Sequence, residues 1–168
     1  MSQVEAPVIS VHERLVRAKT ASREIGALSG AQKTSVLNAI ADALIDASAR
    51  IVAANQEDLK RGASNGLATG LLDRLRLDES RVQGLASAVR EVAVLPDPVG
   101  EVVRGHRSPT GVAIEQVRMP FGVIGAIYEA RPNVTVDIAA IALRSGNAVV
   151  LRGGTDAEAS NAVLVGVM

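Results

Sequence analysis

The sequence predicts an α/β protein in which N-terminal helices precede a hairpin and the start of a parallel sheet. Apolar residues recur at helical spacing in the first half of the chain, and two β-rich runs flank a turn sequence after it. Continuous apolar runs then alternate with a helical segment up to the last residue. The predicted division is residues 1–98 for the helical part, 99–119 for the hairpin and 120–168 for an incomplete βαβα unit.

The composition narrows the classes of partner. The chain has 18 basic and 18 acidic residues, so no net charge favours nucleic acid or an anionic membrane. Phe121 and Tyr128 are its only aromatic residues, too few for a base-stacking platform. It has no cysteine and two histidines, which excludes disulfides and a thiolate or histidine-rich metal site. Residues 1–10 are neither basic nor hydrophobic enough for a secretory signal, and we expect a cytoplasmic protein.

Capping signals mark the helix starts in the first half. Ser10 with Glu13, and Ser29 with Gln32, have the spacing of capping boxes, in which two side chains satisfy free backbone amides. Asp78 is a third candidate cap. Three apolar stripes accompany these starts: Val11, Leu15, Ala18 and Ile25; Val36, Ile40, Leu44 and Ala47; Val82, Leu85, Val89 and Val92. We expect these helices to form a packed layer that takes no direct part in chemistry.

The second half is predicted to contain strands. The runs "EVVRGHR" and "GVAIEQVRM" flank "SPT", which indicates a hairpin near 101–118. The run "FGVIGAIY" predicts a strand near 122–128 that is covered on both faces, and "AVVLR" a second buried strand near 148–152. A helix between them ends before Gly146, and Thr155 with Glu158 predicts a capping box on a last helix. Two parallel strands cannot bury both faces of a sheet, so we expect the chain to stop within a domain.

Polar segments follow both predicted parallel strands. Ligands of open α/β sheets lie beyond the carboxyl ends of the strands, so "YEARPN" and "RGGTD" should come close together. Gly153 and Gly154 would let a ligand approach the backbone, and the helix starting near Thr155 would offer amides to an anion. Arg131 and Arg152 add donors suited to phosphate or carboxylate. This pattern favours a nucleotide or acyl-phosphate site. A plain Gly-Gly turn is the alternative, and no GxGxxG fingerprint supports an ordinary dinucleotide-binding turn.

At these residues the sequence resembles a known family. The stretch "MPFGVIGAIYEARPNVTVDIAAIALRSGNAVVLRGG" closely resembles γ-glutamyl phosphate reductase, also called glutamate-5-semialdehyde dehydrogenase, of the aldehyde dehydrogenase superfamily. The upstream "NGLATGLLDRLRL" and "LPDPVGEV" resemble the N-terminal part of the same family. The resemblance implies an aldehyde dehydrogenase-like fold with a Rossmann-like sheet. It also implies reduction of γ-glutamyl phosphate by NADPH in proline biosynthesis, and a homo-oligomer of the full-length protein assembled through the hairpin.

The resemblance also implies residue roles. Asn133 corresponds to an asparagine that donates to the oxyanion of the transition state, and a helix N-cap is its alternative role. Arg152 corresponds to a basic residue at the cofactor, with a solvated strand-end arginine as the alternative. We expect Tyr128, Gly153 and Gly154 to join Arg152 at the cofactor.

Other positions have alternative roles or depart from the family. Arg131 either holds a substrate carboxylate or pairs with Glu129, and we favour the ion pair slightly. Thr155-Asp156 stands where relatives often carry Lys-Glu, so the contact to the 2′-phosphate of NADPH is open. The nucleophilic cysteine of the family has no counterpart in these 168 residues.

Two classes of function follow from the sequence. In the first, the chain is the N-terminal fragment of the reductase, lacks the catalytic cysteine and is inactive alone. In the second, it is a naturally short, non-catalytic module that binds a nucleotide or another subunit. We expect the first.

Overall fold

The computed structural model describes residues 9–168, so the interpretation of residues 1–10 as lacking a signal falls largely outside the described part. The described residues form seven α-helices, four strands and one 3₁₀ turn. The helices are α1 (Val11–Ala27), α2 (Gly30–Asp46), α3 (Ser48–Ser64), α4 (Thr69–Leu75), α5 (Glu79–Val94), α6 (Asn133–Arg144) and α7 (Glu158–Val167). The strands are β1 (Val102–Arg107), β2 (Ala113–Val117), β3 (Val123–Ile127) and β4 (Ala148–Arg152), and the 3₁₀ turn is Thr155–Ala157. The predicted α/β class is confirmed.

The three predicted N-caps of the first half are confirmed. The Ser10 hydroxyl accepts from the Glu13 amide at 3.2 Å, and the Glu13 carboxylate accepts from the Ser10 amide at 2.8 Å. The second capping box closes in the same way at the start of α2, and the Asp78 carboxylate accepts from the Arg81 amide at the start of α5. Helix α4 is missing from the prediction because it has seven residues and no side-chain cap to mark its start.

The apolar stripes are confirmed in part. Val82, Leu85 and Val89 of α5 are buried in the core, which α2, α6 and α7 complete. The stripe of α2 is confirmed at Leu44, and Ile40 and Ala47 are partly buried, but Val36 is 40% exposed. The other buried positions of α2 are Lys33, Leu37 and Ala41. The stripe of α1 is wrong at its first two positions, since Val11 is 72% exposed and Leu15 is 47% exposed, whereas Ala18 and Ile25 are half-buried. Helix α1 lies instead against β3 and β4, and Ser22 is its buried residue.

A buried ion pair accommodates the one charged residue on the buried face of α2. The Lys33 side chain has no exposed surface, and its Nζ lies 2.9 Å from Oδ2 of Asp97, just after α5. Burial by itself would raise the pKa of Asp97, but hydrogen bonds from Lys33 and the Val99 amide hold it below its usual value. Arg144, at the end of α6, donates to the carbonyls of Gly30 and Leu95. These contacts fix α6 against α2 and the end of α5.

The predicted hairpin is confirmed as the antiparallel pair β1–β2. Its register places Gly105 opposite Glu115 and His106 opposite Ile114. An ion pair of 2.8 Å between Arg118 and Glu101 continues the pairing toward its base. Both strands are exposed along their whole length, so the hairpin projects from the helical layer.

The two predicted parallel strands are also confirmed. Strands β3 and β4 pair in parallel, with Ile124 opposite Val149 and Ile127 opposite Arg152. The expectation that both are covered on both faces is wrong, since β3 is only half-buried and Ile127 is 84% exposed. The reason is that α1 and α6 pack mainly on β4, while β3 forms one edge of a two-stranded sheet. Gly146 ends α6 with φ +76°, as predicted.

Within residues 9–168, no helix combines the length and the apolar character needed to cross a bilayer.

Candidate active site

The carboxyl ends of β3 and β4 bring the two predicted segments together. The Tyr128 amide donates to the Arg152 carbonyl at 3.1 Å, directly after the last paired residues of the sheet. A β-carbon placed on Gly154 would lie 3.4 Å from the carbonyl carbon of Glu129. The segments "YEARPN" and "RGGTD" are therefore neighbours, as the order of the strands required.

A chain of hydrogen bonds runs inward from this edge. The Tyr128 hydroxyl lies 2.6 Å from Oγ1 of Thr135, and that oxygen donates to Oδ1 of Asn161 at 2.7 Å. Because Thr135 has one hydroxyl hydrogen and gives it to Asn161, Tyr128 is the donor in the first bond. Thr135 is fully buried, so these bonds tie the end of β3 to α6 and α7. The Tyr128 hydroxyl is thus engaged inside the protein.

Gly153 is packed against this chain. A β-carbon at Gly153 would lie 2.3 Å from Nδ2 of Asn161 and 3.2 Å from Cε2 of Tyr128. Any side chain at Gly153 would require the Asn161 amide, which accepts from Thr135, to move. This packing is a sufficient reason for Gly153, whose cofactor role stays a prediction.

The N-terminus of α7 differs from the prediction. The capping box of Thr155 and Glu158 is wrong, because Thr155 opens a 3₁₀ turn and neither it nor the start of α7 has a cap from these side chains. The cap comes from Asp58 of α3, whose carboxylate accepts from the Ala159 and Ser160 amides at 3.1 and 2.8 Å. The α7 amides expected to bind an anion therefore already hold an internal carboxylate.

The same face of α3 holds the loop before α7. The Arg61 guanidinium lies 2.5 Å from Oδ1 of Asp58 and donates to the Thr155 carbonyl at 2.9 Å. Asn55, one turn earlier, donates to Oγ of Ser160 at 3.0 Å and accepts from the Leu77 amide at 2.7 Å. Asn55, Asp58 and Arg61 recur every three residues and so share one face of α3. That spacing is the only signal of these contacts in the sequence.

The two arginines of the predicted site remain open to solvent. Arg131 and Arg152 are both exposed, and within residues 9–168 neither forms an ion pair. The favoured pair between Arg131 and Glu129 is therefore wrong. The backbone closes the turn instead, with the Arg131 amide donating to the Glu129 carbonyl at 2.9 Å. Two exposed side chains gain little from pairing in water.

Asn133 begins α6, and its side chain does not cap the helix. Pro132 is the N-cap residue, so the alternative role of Asn133 as N-cap is wrong. Its Nδ2 donates to Oδ2 of Asp137 at 3.0 Å, one turn further along α6. Both side chains belong to half-buried residues. Burial raises the pKa of the Asp137 carboxyl above its usual value, although the Asn133 hydrogen bond acts to lower it.

Across residues 9–168, no group of three or more His, Cys, Asp or Glu side chains is arranged to hold a metal ion. The polar groups at this edge include the Asn133 amide and the guanidinium groups of Arg131 and Arg152, alongside the carboxylates of Glu129 and Asp137. Amide and guanidinium groups bind anionic and carbonyl ligands.

The sequence is similar to curated γ-glutamyl phosphate reductases. No family model matches the chain. The reductase of Kineococcus radiotolerans is 59% identical over 165 residues, covering 98% of this chain and 38% of the relative. That of Leifsonia xyli is 57% identical over 159 residues, covering 95% of this chain and 38% of the relative. The chain thus spans well under half the length of the curated relatives that it matches.

Solved structures agree with the sequence comparison. The γ-glutamyl phosphate reductase of Thermotoga maritima has a TM-score of 0.89 at 36% identity, covering 93% of this chain and 38% of that one. An NAD-dependent benzaldehyde dehydrogenase from Corynebacterium glutamicum has a TM-score of 0.69 at 21% identity, covering 94% of this chain and 32% of that one, and shows the shared fold. The predicted resemblance is confirmed: in sequence and in fold, the chain corresponds to the N-terminal part of the γ-glutamyl phosphate reductases.

Proposed function

We propose that this chain forms the N-terminal part of a cytoplasmic γ-glutamyl phosphate reductase. The full-length enzyme would reduce γ-glutamyl phosphate with NADPH to glutamate-5-semialdehyde and release phosphate, a step of proline biosynthesis. The similarity to curated reductases over 98% of the chain carries the proposal. The meeting of the Asn133 segment with the Arg152 segment at one sheet edge supports it.

Asn133 is the proposed catalytic residue of this chain. Reduction of an acyl group passes through a tetrahedral oxyanion, and a side-chain amide can donate to it where the charge develops. Nδ2 of Asn133 carries two hydrogens, of which one is given to Asp137. The second hydrogen is the one available to a substrate oxygen. The family's cysteine nucleophile would come from residues outside this sequence.

Arg152 is the best-supported contact for a nicotinamide cofactor. Its exposed guanidinium, without an ion pair among residues 9–168, suits a phosphate or ribose at the end of β4. The backbone of Gly153 and Gly154 and the ring of Tyr128 lie beside it. The α7 amides do not fit this role, because Asp58 occupies them. Bound NADPH would supply the hydride. Arg131 is proposed to hold a substrate carboxylate.

Replacing Asn133 with alanine in the full-length reductase should lower kcat about 10²–10³-fold, because one oxyanion donor is lost. KM should change little, since the donor acts mainly in the transition state. The measurement is NADPH oxidation with enzymatically generated γ-glutamyl phosphate. Asn38→Ala, which removes an exposed amide side chain from α2, is the matched control. Wild-type kcat in Asn133→Ala would contradict the role of Asn133, and an inactive full-length wild type would contradict the proposed function.

We also propose that the full-length protein self-associates through the hairpin of residues 99–119. Both strands are exposed, Val103 and Ile114 are 48% and 46% exposed, and unpaired strand edges are available to a second copy. Light scattering of the full-length protein should show an oligomer, and Ile114→Lys should shift it toward the monomer. Thr110→Lys adds the same charge in the turn as a control. A clean monomer for the unmodified protein would contradict this proposal.

A further inference from the structure

The orientation of the Asn133 amide is fixed by one neighbour. Asn133 and Asp137 are four residues apart on α6, which places them on the same helix face. Nδ2 of Asn133 donates to Oδ2 of Asp137 at 3.0 Å. The buried Pro132 restricts the backbone immediately before Asn133, so the pair sits at a defined point beyond the end of β3.

The chemistry of the pair selects one of two amide orientations. An ionised carboxylate only accepts hydrogen bonds, so it binds the NH₂ end of an amide and not its oxygen. Turning the amide by half a turn would set Oδ1 of Asn133 against the Asp137 oxygens and remove the bond. With the NH₂ end held, its second hydrogen has a single direction, and the amide oxygen is kept away from Asp137.

We propose that Asp137 is a positioning residue for Asn133: its carboxylate holds one amide hydrogen, so that the other is aimed at the substrate oxygen. The inference rests on the proposed function, in which Asn133 is the oxyanion donor. Asp137 has a half-buried carboxyl group whose contact is the Asn133 amide, although burial of a carboxylate is unfavourable. The need to orient the Asn133 amide is a sufficient reason for a carboxyl group at this half-buried position.

The kinetic test uses the full-length reductase. At metal sites, loss of a group that orients a ligand side chain commonly lowers activity about 10–100-fold, and we use that magnitude for the orienting role of Asp137. We expect Asp137→Ala to lower kcat by about that factor, with KM nearly unchanged. In the double variant with Asn133→Ala, Asp137→Ala should cause no further loss, because the two residues act as a unit. Glu91→Gln, an exposed carboxylate on α5, controls for the lost charge.

A structural test uses the 168-residue chain and does not depend on activity. In an NMR spectrum of the ¹⁵N-labelled chain, one Nδ2 hydrogen of Asn133 should exchange with water more slowly than the other. The difference should disappear in Asp137→Ala. The near-isosteric Asp137→Asn can pair with either end of the amide, so the difference should shrink in that variant without loss of the fold, which circular dichroism would verify.

These measurements distinguish the positioning role of Asp137 from the proposed function of the full-length protein. Equal exchange of the two Asn133 hydrogens in the unmodified chain would overturn the positioning role, whatever the enzyme does. Additive losses of kcat in the double variant would overturn it as well, because a merely structural effect of Asp137 would add to that of Asn133. An inactive full-length wild type would overturn the proposed function, and the catalytic part of this inference with it.

Discussion

Replacing Asp58 with alanine should lower the free energy of unfolding by about 2–6 kcal/mol, because two backbone amides lose their acceptor at a cost of about 1–3 kcal/mol each. Asp58 has no exposed surface, and its carboxylate accepts from two α7 amides, the Ser160 hydroxyl and the Arg61 guanidinium. Alanine would leave the Ala159 and Ser160 amides without an acceptor at the start of α7, where Ser160 is buried. The loss would be a large part of the stability of a typical domain.

Urea denaturation of the 168-residue chain, followed by circular dichroism, measures this change. Asp42→Ala is the matched control, since Asp42 forms an ion pair with Arg90 in which both side chains are largely exposed. Such a pair contributes about 0–1 kcal/mol, and its removal should change the midpoint little. Ser160→Ala should fall between the two, because it removes one donor and leaves both amide contacts to Asp58. If Asp58→Ala were as stable as Asp42→Ala, Asp58 would not hold α7 in place.

The elements predicted correctly from sequence are those whose cause is local. The boxes at Ser10 and Ser29 form because each cap and its partner are three residues apart, and no other group competes for them. The hairpin follows from two short runs and the turn between them, and the parallel strands from two apolar runs separated by a helical segment. One prediction fails because a distant residue supplies the contact. At α7, the acceptor is Asp58, which is 101 residues before Ala159 in sequence.

The candidate site was predictable in position and less so in detail. Parallel strands must place their carboxyl ends together, so the neighbouring positions of the Asn133 and Arg152 segments followed from the order of the elements. The hydrogen-bond partners did not follow, because side-chain contacts depend on rotamers and packing. Tyr128, which is predicted to lie at the cofactor, donates its hydroxyl to Thr135. Arg131, which is predicted to pair with Glu129, forms no ion pair among the described residues.

The purified 168-residue chain should show no reductase turnover, although the full-length protein should be active. The reaction that the family resemblance implies requires a thiolate to displace phosphate, and these residues contain no cysteine. His12 and His106 are not candidate substitutes, since they lie on α1 and on the hairpin, outside the segments that meet at the ends of β3 and β4. NADPH should bind far more weakly than to the full-length protein, because the two-stranded sheet offers one side of a crevice and Asp58 occupies the α7 amides.

The assay compares NADPH oxidation by the chain and by the full-length reductase, with enzymatically generated γ-glutamyl phosphate as the substrate. Calorimetric titration with NADPH gives the affinity of each, and Arg152→Ala should weaken any binding that the chain retains, because an exposed guanidinium attracts the cofactor's anionic groups. Exposed Arg104→Ala, on the hairpin, controls for the loss of one positive charge. If the 168-residue chain showed turnover, and that turnover persisted in Asn133→Ala, two conclusions would be contradicted at once. Such turnover would show that a nucleophile other than cysteine acts within these residues, and that the oxyanion is stabilised by a group other than the Asn133 amide.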